Sequence, residues 1–302
     1  MAFRNLIVSN EATLTLKSKQ LCVKTETISD TVPVEDIDTL LIENRRSTIS
    51  SALLGALAKN GTAVFICDEF HMPCGILLPY LQHSRQHEVV KRQLDLTTPV
   101  KKQLWKQIVT AKINNQAKCL FLCGSNKMSH ELTNIAKHVK SDDSENAESH
   151  AAAKYFNALF GKGFARSHEH DNRNGWLNYG YAILRGCVAR TLAVYGFFQT
   201  FGLHHHSQVN QFNLSDDFME PFRPIVDLFV VQRKVTPDSE LKPTDKRQLY
   251  NLVTHNMSID SKKYALTYAI ERTIQSFSSV VAGKRKDLLL PELIPLEQHA
   301  YE

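Results

Sequence analysis

Between Gly202 and Pro224 the chain reads GLHHHSQVNQFNLSDDFMEPFRP, which places His204, His205 and His206 in the same short stretch as Asp216, Asp217 and Glu220. Neutral imidazole with carboxylate oxygen is the donor mix that suits Mg²⁺, Mn²⁺ or Zn²⁺. This stretch alone is short of an acid. Glu148, in NAESHAAAKYF from Asn146 to Phe156, can supply it. At helical spacing Glu148 shares a face with Ala152, Tyr155, Phe156 and Leu159, so it lies on the apolar side of its helix. An ionised carboxylate placed there needs a cation, a partner or a proton. The segment alone also admits a plainer reading, an acid favoured by the dipole at a helix N-terminus that Ser144 caps.

Asp217 and Glu220 share one face of a helical turn. Pro221 and Pro224 do not suit a helix interior, so the two acids are expected in a first or broken turn ahead of the apolar run Ile225–Val231. For at least one of Asp216 and Asp217, N-capping is the simpler role. Arg223 is placed to pair with an acid or a phosphate oxygen. A second polar run, Ser167-His168-Glu169-His170-Asp171, reads as a surface or DNA-proximal loop rather than another metal site.

The elements that must hold these residues divide in two. Residues 3–42 show short period-two apolar runs and are expected to form an antiparallel β unit. A helix capped by Ser47 and closed by Asn60-Gly61 follows, then apolar strands at Ala63–Cys67 and Cys74–Leu78. From Ser84 the apolar period becomes 3.6, with Pro99 in the first turn of a helix bearing Leu104, Ile108 and Leu120. Further helices are expected at 130–140, 144–160, 176–200, 218–234, 244–254 and 261–282, before an irregular tail. The expected class is α+β: a β-rich domain over residues 1–81 and a larger all-α domain over 82–302.

The 302 residues are 43% apolar and 22% charged, as in a globular protein with an ample core. A secretion signal and a membrane span are not expected, and the six scattered cysteines read as reduced thiols of a cytosolic protein. The net charge of +5 is unevenly placed. Residues 82–140 hold 11 Lys/Arg against 3 Asp/Glu, while residues 1–81 hold 7 against 9 and residues 141–302 hold 18 against 19. So local an excess favours a polyanion, nucleic acid being the commonest. Trp105, Lys101, Lys102 and Lys106 are the first candidates for contacts to DNA, with a place in the core the commoner role for Trp105.

The ordered motifs E-x₃-A-x₂-YF, GLHH and N-x-F-x-L-x-DD-x-ME-PFRP resemble those of the CRISPR-associated integrase, the larger subunit of the spacer-acquisition complex, in the form found with type II systems. The likeness covers nearly the whole chain, including Ile76-Leu77-Leu78-Pro79 at the domain junction. It implies a DNA endonuclease and integrase in the bacterial cytoplasm. Glu148, His205 and Glu220 would bind Mg²⁺ or Mn²⁺, with Asp217 as a further acid of the catalytic set. The family pattern ends on His205, although His204 and His206 flank it, and Ala147 stands where many members carry glycine. The resemblance also implies a homodimer and a small ferredoxin-like CRISPR adaptation subunit as partner, with further type II CRISPR proteins. Without it, the residues leave open a general metal-dependent nuclease and a non-catalytic DNA-binding subunit whose acids only cap helices.

Overall fold

A computed structural model describes residues 4–80, 83–168 and 170–300 of the chain. Its first part comprises β1 (Arg4–Val8), β2 (Thr13–Lys17), β3 (Gln20–Lys24), β4 (Ser29–Pro33), β5 (Ile37–Ile42), β6 (Thr48–Ile49), α1 (Ser51–Asn60), β7 (Ala63–Cys67) and β8 (Pro73–Leu77). Two four-stranded sheets result, ordered β1-β5-β7-β8 and β4-β3-β2-β6. The expected antiparallel unit is only half realised. β2, β3 and β4 pair antiparallel, but β1, β5 and β7 run parallel, and so do β2 and β6. β5 is buried along nearly its whole length, Asp38 and Thr39 included, and β7 is buried except at Ile66. Strands covered in this way can occupy the centre of a parallel sheet.

Helix α1 covers one face of that sheet, where Leu53 and Leu57 pack with Leu14, Leu21, Ile37, Leu40 and Val64. Ser50 caps it by accepting from Leu53 N; Ser47, expected in that role, instead accepts from Ala12 N at 3.1 Å. Gly61 closes it in the left-handed region at φ 76°, as Asn60-Gly61 predicts. The opposite face, through Leu41, Phe65 and Cys67, joins the larger core of the helical part.

That part contains α2 (Gln86–Leu94), α3 (Thr98–Leu122), α4 (Asn126–Lys137), α5 (Ala147–Phe160), α6 (Asn172–Val194), α7 (Asn213–Met219), α8 (Arg223–Gln232), α9 (Pro243–Asn251) and α10 (Leu266–Val281). The expected helix at 218–234 is divided: α7 ends at Met219, and a 3-10 turn over Glu220–Phe222 leads into α8. Pro221 and Pro224 lack the N–H groups that a continuous helix would use. The helix expected over 261–282 begins only at Leu266, and the residues before it belong to a feature that helical periodicity missed. β9 (Asn256–Ile259) and β10 (Lys262–Ala265) form an antiparallel hairpin turning at Asp260 and Ser261, whose φ values are 49° and 62°. The larger part is therefore mainly helical with one hairpin, and the class is α+β as expected.

α3 and α6 are the buried axes of this part. α6 lies directly on the sheet because Gly186 has no side chain: a Cβ there would stand 2.0 Å from the Phe65 ring. The tail beyond α10 is irregular but docked. Asn115 of α3 donates to Pro291 O at 2.9 Å and accepts from Leu293 N at 2.9 Å, and Ser258 exchanges backbone bonds with Glu292.

Candidate metal centre

Glu148 stands in the first turn of α5 because Asp143 caps that helix. The Asp143 carboxylate accepts from Ala147 N at 2.8 Å and Glu148 N at 3.0 Å. It does the work expected of Ser144 and orients the glutamate through its own backbone. Glu220 opens the 3-10 turn between α7 and α8, and α3 anchors that turn through Asn115 Nδ2, 2.7 Å from Pro221 O.

The two glutamates converge on one cation. Lys112 Nζ of α3 lies 2.5 Å from Glu148 Oε1 and also contacts Glu220 Oε2, while Arg223 Nη2 holds the other Glu220 oxygen at 3.0 Å. Glu220 is nearly inaccessible, with 4% of its side chain exposed, and its Oε2 receives no well-directed hydrogen bond despite the ammonium against it. Burial by itself would raise the Glu220 carboxyl, but Arg223 and then Lys112 hold it below its ordinary value. For Lys112, burial works against the charged form, and the two glutamates more than offset it, so its ammonium titrates above the usual lysine range.

His205 is presented by the loop between α6 and α7, and fully buried Asp217 organises that loop. Asp217 Oδ2 accepts from Leu203 N at 2.5 Å and His204 N at 3.2 Å; its Oδ1 accepts from His205 N at 3.2 Å and from the His205 ring at Nδ1, 2.7 Å away. Gly202 makes this wrap possible, since a Cβ there would meet His205 O at 2.5 Å and Asp217 Oδ2 at 2.7 Å. With Nδ1–H donated to Asp217, the free lone pair of the imidazole is on Nε2. The Asp217 hydrogen bond raises the His205 pKa against the effect of burial, and the charge on Glu220 adds to the rise.

Sequence spacing left the three histidines unranked, and the fold separates them. His204 stacks on buried Trp105, ring centroids 4.3 Å apart, with Asp142 Oδ1 3.8 Å from its Nδ1. His206 is exposed. Neither aspartate caps a helix. Asp216 pairs with Arg185, Nε to Oδ1 2.8 Å, and Asp217 is the clamp just described. Asp171 of the second histidine run caps α6 by accepting from Arg173 N at 3.1 Å; Glu169 lies outside the described residues.

Among the described residues, no three His, Cys, Asp or Glu side chains stand as a ready-made metal cage. The donor chemistry nevertheless fits a hard divalent ion. Two carboxylates, one with a buried oxygen lacking a directed hydrogen bond, and an imidazole with its lone pair on Nε2 make the set. Lys112 holds the place between the acids. Its signal was available in the sequence, as a lysine one turn beyond Leu104 and Ile108 on the core line of α3. Gln93, a polar residue whose spacing gives no such signal, clamps the loop ahead of Gly202: its amide donates to Phe198 O and Phe201 O and accepts from Phe198 N.

The centre opens beside a cleft of about 610 Å³ lined by His205, Asp216, Tyr181 and three arginines, Arg166, Arg185 and Arg223. Arg223 already serves Glu220 and lies 4.9 Å from the Tyr181 ring centroid. Among the lysine candidates, Lys102 pairs with Asp142 at 3.1 Å, Lys101 is partly exposed near the start of α3, and Lys106 lines a groove with Lys118 and the tail.

A strand-rich part, a helical part, and a cleft with His205, Asp216 and three arginines beside the acid pair are compatible with a protein that handles a phosphate-bearing substrate. The chain belongs to the CRISPR-associated Cas1 family: the family described as "CRISPR associated protein Cas1" matches residues 6–245. The CRISPR-associated endonuclease Cas1 of Neisseria meningitidis serogroup C (strain 8013) is 42% identical over 305 residues, covering 100% of both chains. In fold, the chain is similar to a casposase bound to its integration product, with a TM-score of 0.75, 19% identity, and 93% of this chain and 91% of that one covered. It is also similar to a chain of a Cas6-RT-Cas1–Cas2 complex, at a TM-score of 0.70 and 17% identity, over 94% of this chain and 35% of the other. The activity class expected from the sequence, a CRISPR-associated DNA endonuclease, holds on this membership.

Proposed function

We propose that Glu148, His205 and Glu220 hold one Mg²⁺ or Mn²⁺ ion, and that the site joins short DNA to the CRISPR repeat: the 3′-hydroxyl of the short DNA forms a new P–O bond at a repeat phosphodiester, whose P–O3′ bond breaks and leaves a 3′-hydroxyl on the cut repeat strand. Water in place of the hydroxyl gives cleavage. The ion, when bound, supplies Lewis-acid polarisation of the phosphate and favours the deprotonated nucleophile. The chain's own groups supply orientation and charge. Asp217 keeps the proton on His205 Nδ1 and so keeps Nε2 available. Arg223 fixes the Glu220 carboxylate through the oxygen that Lys112 does not contact. Arg166 and Arg185 line the adjoining cleft, where a phosphate backbone meets complementary charge. Lys101, Lys102 and Lys106 on α3 would extend that track without reading sequence.

One observation carries the reading: two acids from distant segments meet on a single buried cation beside an imidazole whose tautomer is set by a carboxylate. Helix capping alone would leave Glu148 and Glu220 in separate places. A strand-transfer assay tests it, using short duplex DNA with free 3′ ends and a supercoiled, repeat-bearing target. Glu148→Ala, His205→Ala and Glu220→Ala are each expected to abolish joining, as is chelation of divalent ions. Unimpaired joining by all three variants overturns the site assignment, and degradation without joined products reduces the function to a nuclease.

The assembly we propose is a homodimer, with pairs flanking a small ferredoxin-like Cas2 subunit and further type II CRISPR proteins joining during capture. The Cas1–Cas2 composition of a similar complex supports the Cas2 partner. Ile28, Ile66 and Phe70, exposed on the strand-rich part, support an assembly role for residues 1–81, with catalysis in 82–302. No helix among the described residues is long and apolar enough to cross a membrane, and the reading places the protein with DNA in the bacterial cytoplasm.

A further inference from the structure

Lys112 is unusual among the cations of this protein. Only 9% of its side chain is exposed, and its ammonium contacts one oxygen of each of two carboxylates that arrive from α5 and from the α7–α8 turn. A buried ammonium is costly without such partners, and buried Glu220 facing the half-buried Glu148 is costly without a cation. Lys112 and Glu220 are therefore each the reason the other can be buried. The charges at the centre count −3 from Glu148, Glu220 and Asp217 against +2 from Lys112 and Arg223, a balance of −1. A divalent ion added to this set changes the balance to +1, which suits a phosphate, but it must share the same two carboxylates with an ammonium already between them.

We infer that Lys112 is a built-in counter-cation that keeps the acid pair assembled before metal binds, and that a divalent ion enters by displacing its ammonium from Glu148 and Glu220. The inference rests on the proposed role of these glutamates as metal ligands. It makes metal binding an exchange of cations within a preformed site rather than the closing of an open one. The chain can thus fold with its acids in register and without metal, and loading carries a built-in competitor that weakens binding.

The test uses the full-length chain and Mn²⁺ alone, with free Mn²⁺ measured by electron paramagnetic resonance. Lys112→Met, which keeps the apolar stem and removes the charge, is expected to bind Mn²⁺ about tenfold more tightly than wild type, equivalent to about 1.4 kcal/mol. Its melting temperature should be lower than wild type without metal and rise further when Mn²⁺ is added. Lys112→Gln should show the same trend. If both variants fold only with Mn²⁺ present, the exchange is supported directly. Unchanged or weaker Mn²⁺ affinity in a folded variant overturns it.

A wild-type measurement remains if neither variant folds. Amine acetylation read by mass spectrometry should find Lys112 protected without metal and labelled when Mn²⁺ is bound. Protection that is the same in both states overturns the inference. Glu148→Ala separates this from the underlying reading. Failure of wild type to bind Mn²⁺ at all, or binding indifferent to Glu148→Ala, removes the metal site itself. Binding that depends on Glu148 but not on Lys112 removes the exchange alone.

Discussion

Asp217→Asn removes one charge and no volume, and its consequences follow from four contacts. Oδ2 accepts from the backbone N–H groups of Leu203 and His204; Oδ1 accepts from the backbone N–H and the ring of His205. An asparagine must place its NH₂ on one side or the other. On the Oδ2 side it faces two N–H donors, so two charge-assisted hydrogen bonds disappear inside the protein. At about 1.5–3 kcal/mol each, the loss is about 3–6 kcal/mol. Against a total stability of roughly 5–15 kcal/mol that is a large fraction. On the Oδ1 side the amide donates to His205 Nδ1, which forces the proton onto Nε2 and removes the lone pair that a metal needs. Either orientation damages the centre. Calorimetry of the two proteins should show a melting temperature lower by on the order of 10 °C for the first orientation. Mn²⁺ titration should show affinity about 10- to 100-fold weaker for the second. A variant that keeps both its melting temperature and its Mn²⁺ affinity would refute the role given to Asp217.

Three further outcomes follow. Burial pushes the Asp227 carboxyl up from 3.8 to about 6, although Tyr181 and Tyr155 donate hydrogen bonds to it. A raised carboxyl contributes stability that is present below the unfolded value of about 3.9 and is lost as pH rises through about 6, on the order of 3 kcal/mol. Melting temperatures of wild type and Asp227→Asn from pH 4 to 8 should diverge across that window, wild type falling relative to the variant; a pH-independent gap would contradict the burial argument. Gly186→Ala drives a methyl into the Phe65 ring and should destabilise the fold by about 1–3 kcal/mol or more, with partial recovery in the Gly186→Ala, Phe65→Leu double variant, read by denaturant melts. Lys106→Ala should weaken DNA binding equally for unrelated sequences and reduce the salt slope of log K by about one. An unchanged slope would remove Lys106 from the phosphate track.

Much of this protein was legible in its sequence. The change of period at Ser84, the left-handed stop at Asn60-Gly61 and the break at Pro221 are local effects, set by φ limits, missing N–H groups and apolar spacing within a few residues. Glu148, Glu220 and the histidine run were likewise readable as candidate ligands, because their donor types lie in short stretches, while only the family resemblance singled out His205. Spacing could not decide what each group touches. The parallel order of β1, β5 and β7 depends on which segments become covered on both faces. The ranking of His204, His205 and His206 depends on Trp105 beneath one ring and Asp217 beside another. Lys112 stands on the core line of α3 in the sequence, but its partners are set only when α5 and the α7–α8 turn bring two acids against it. Local geometry is encoded by neighbours in the chain, whereas the charge state and contacts of a buried group are set by whatever residues desolvate it, and those arrive from elsewhere.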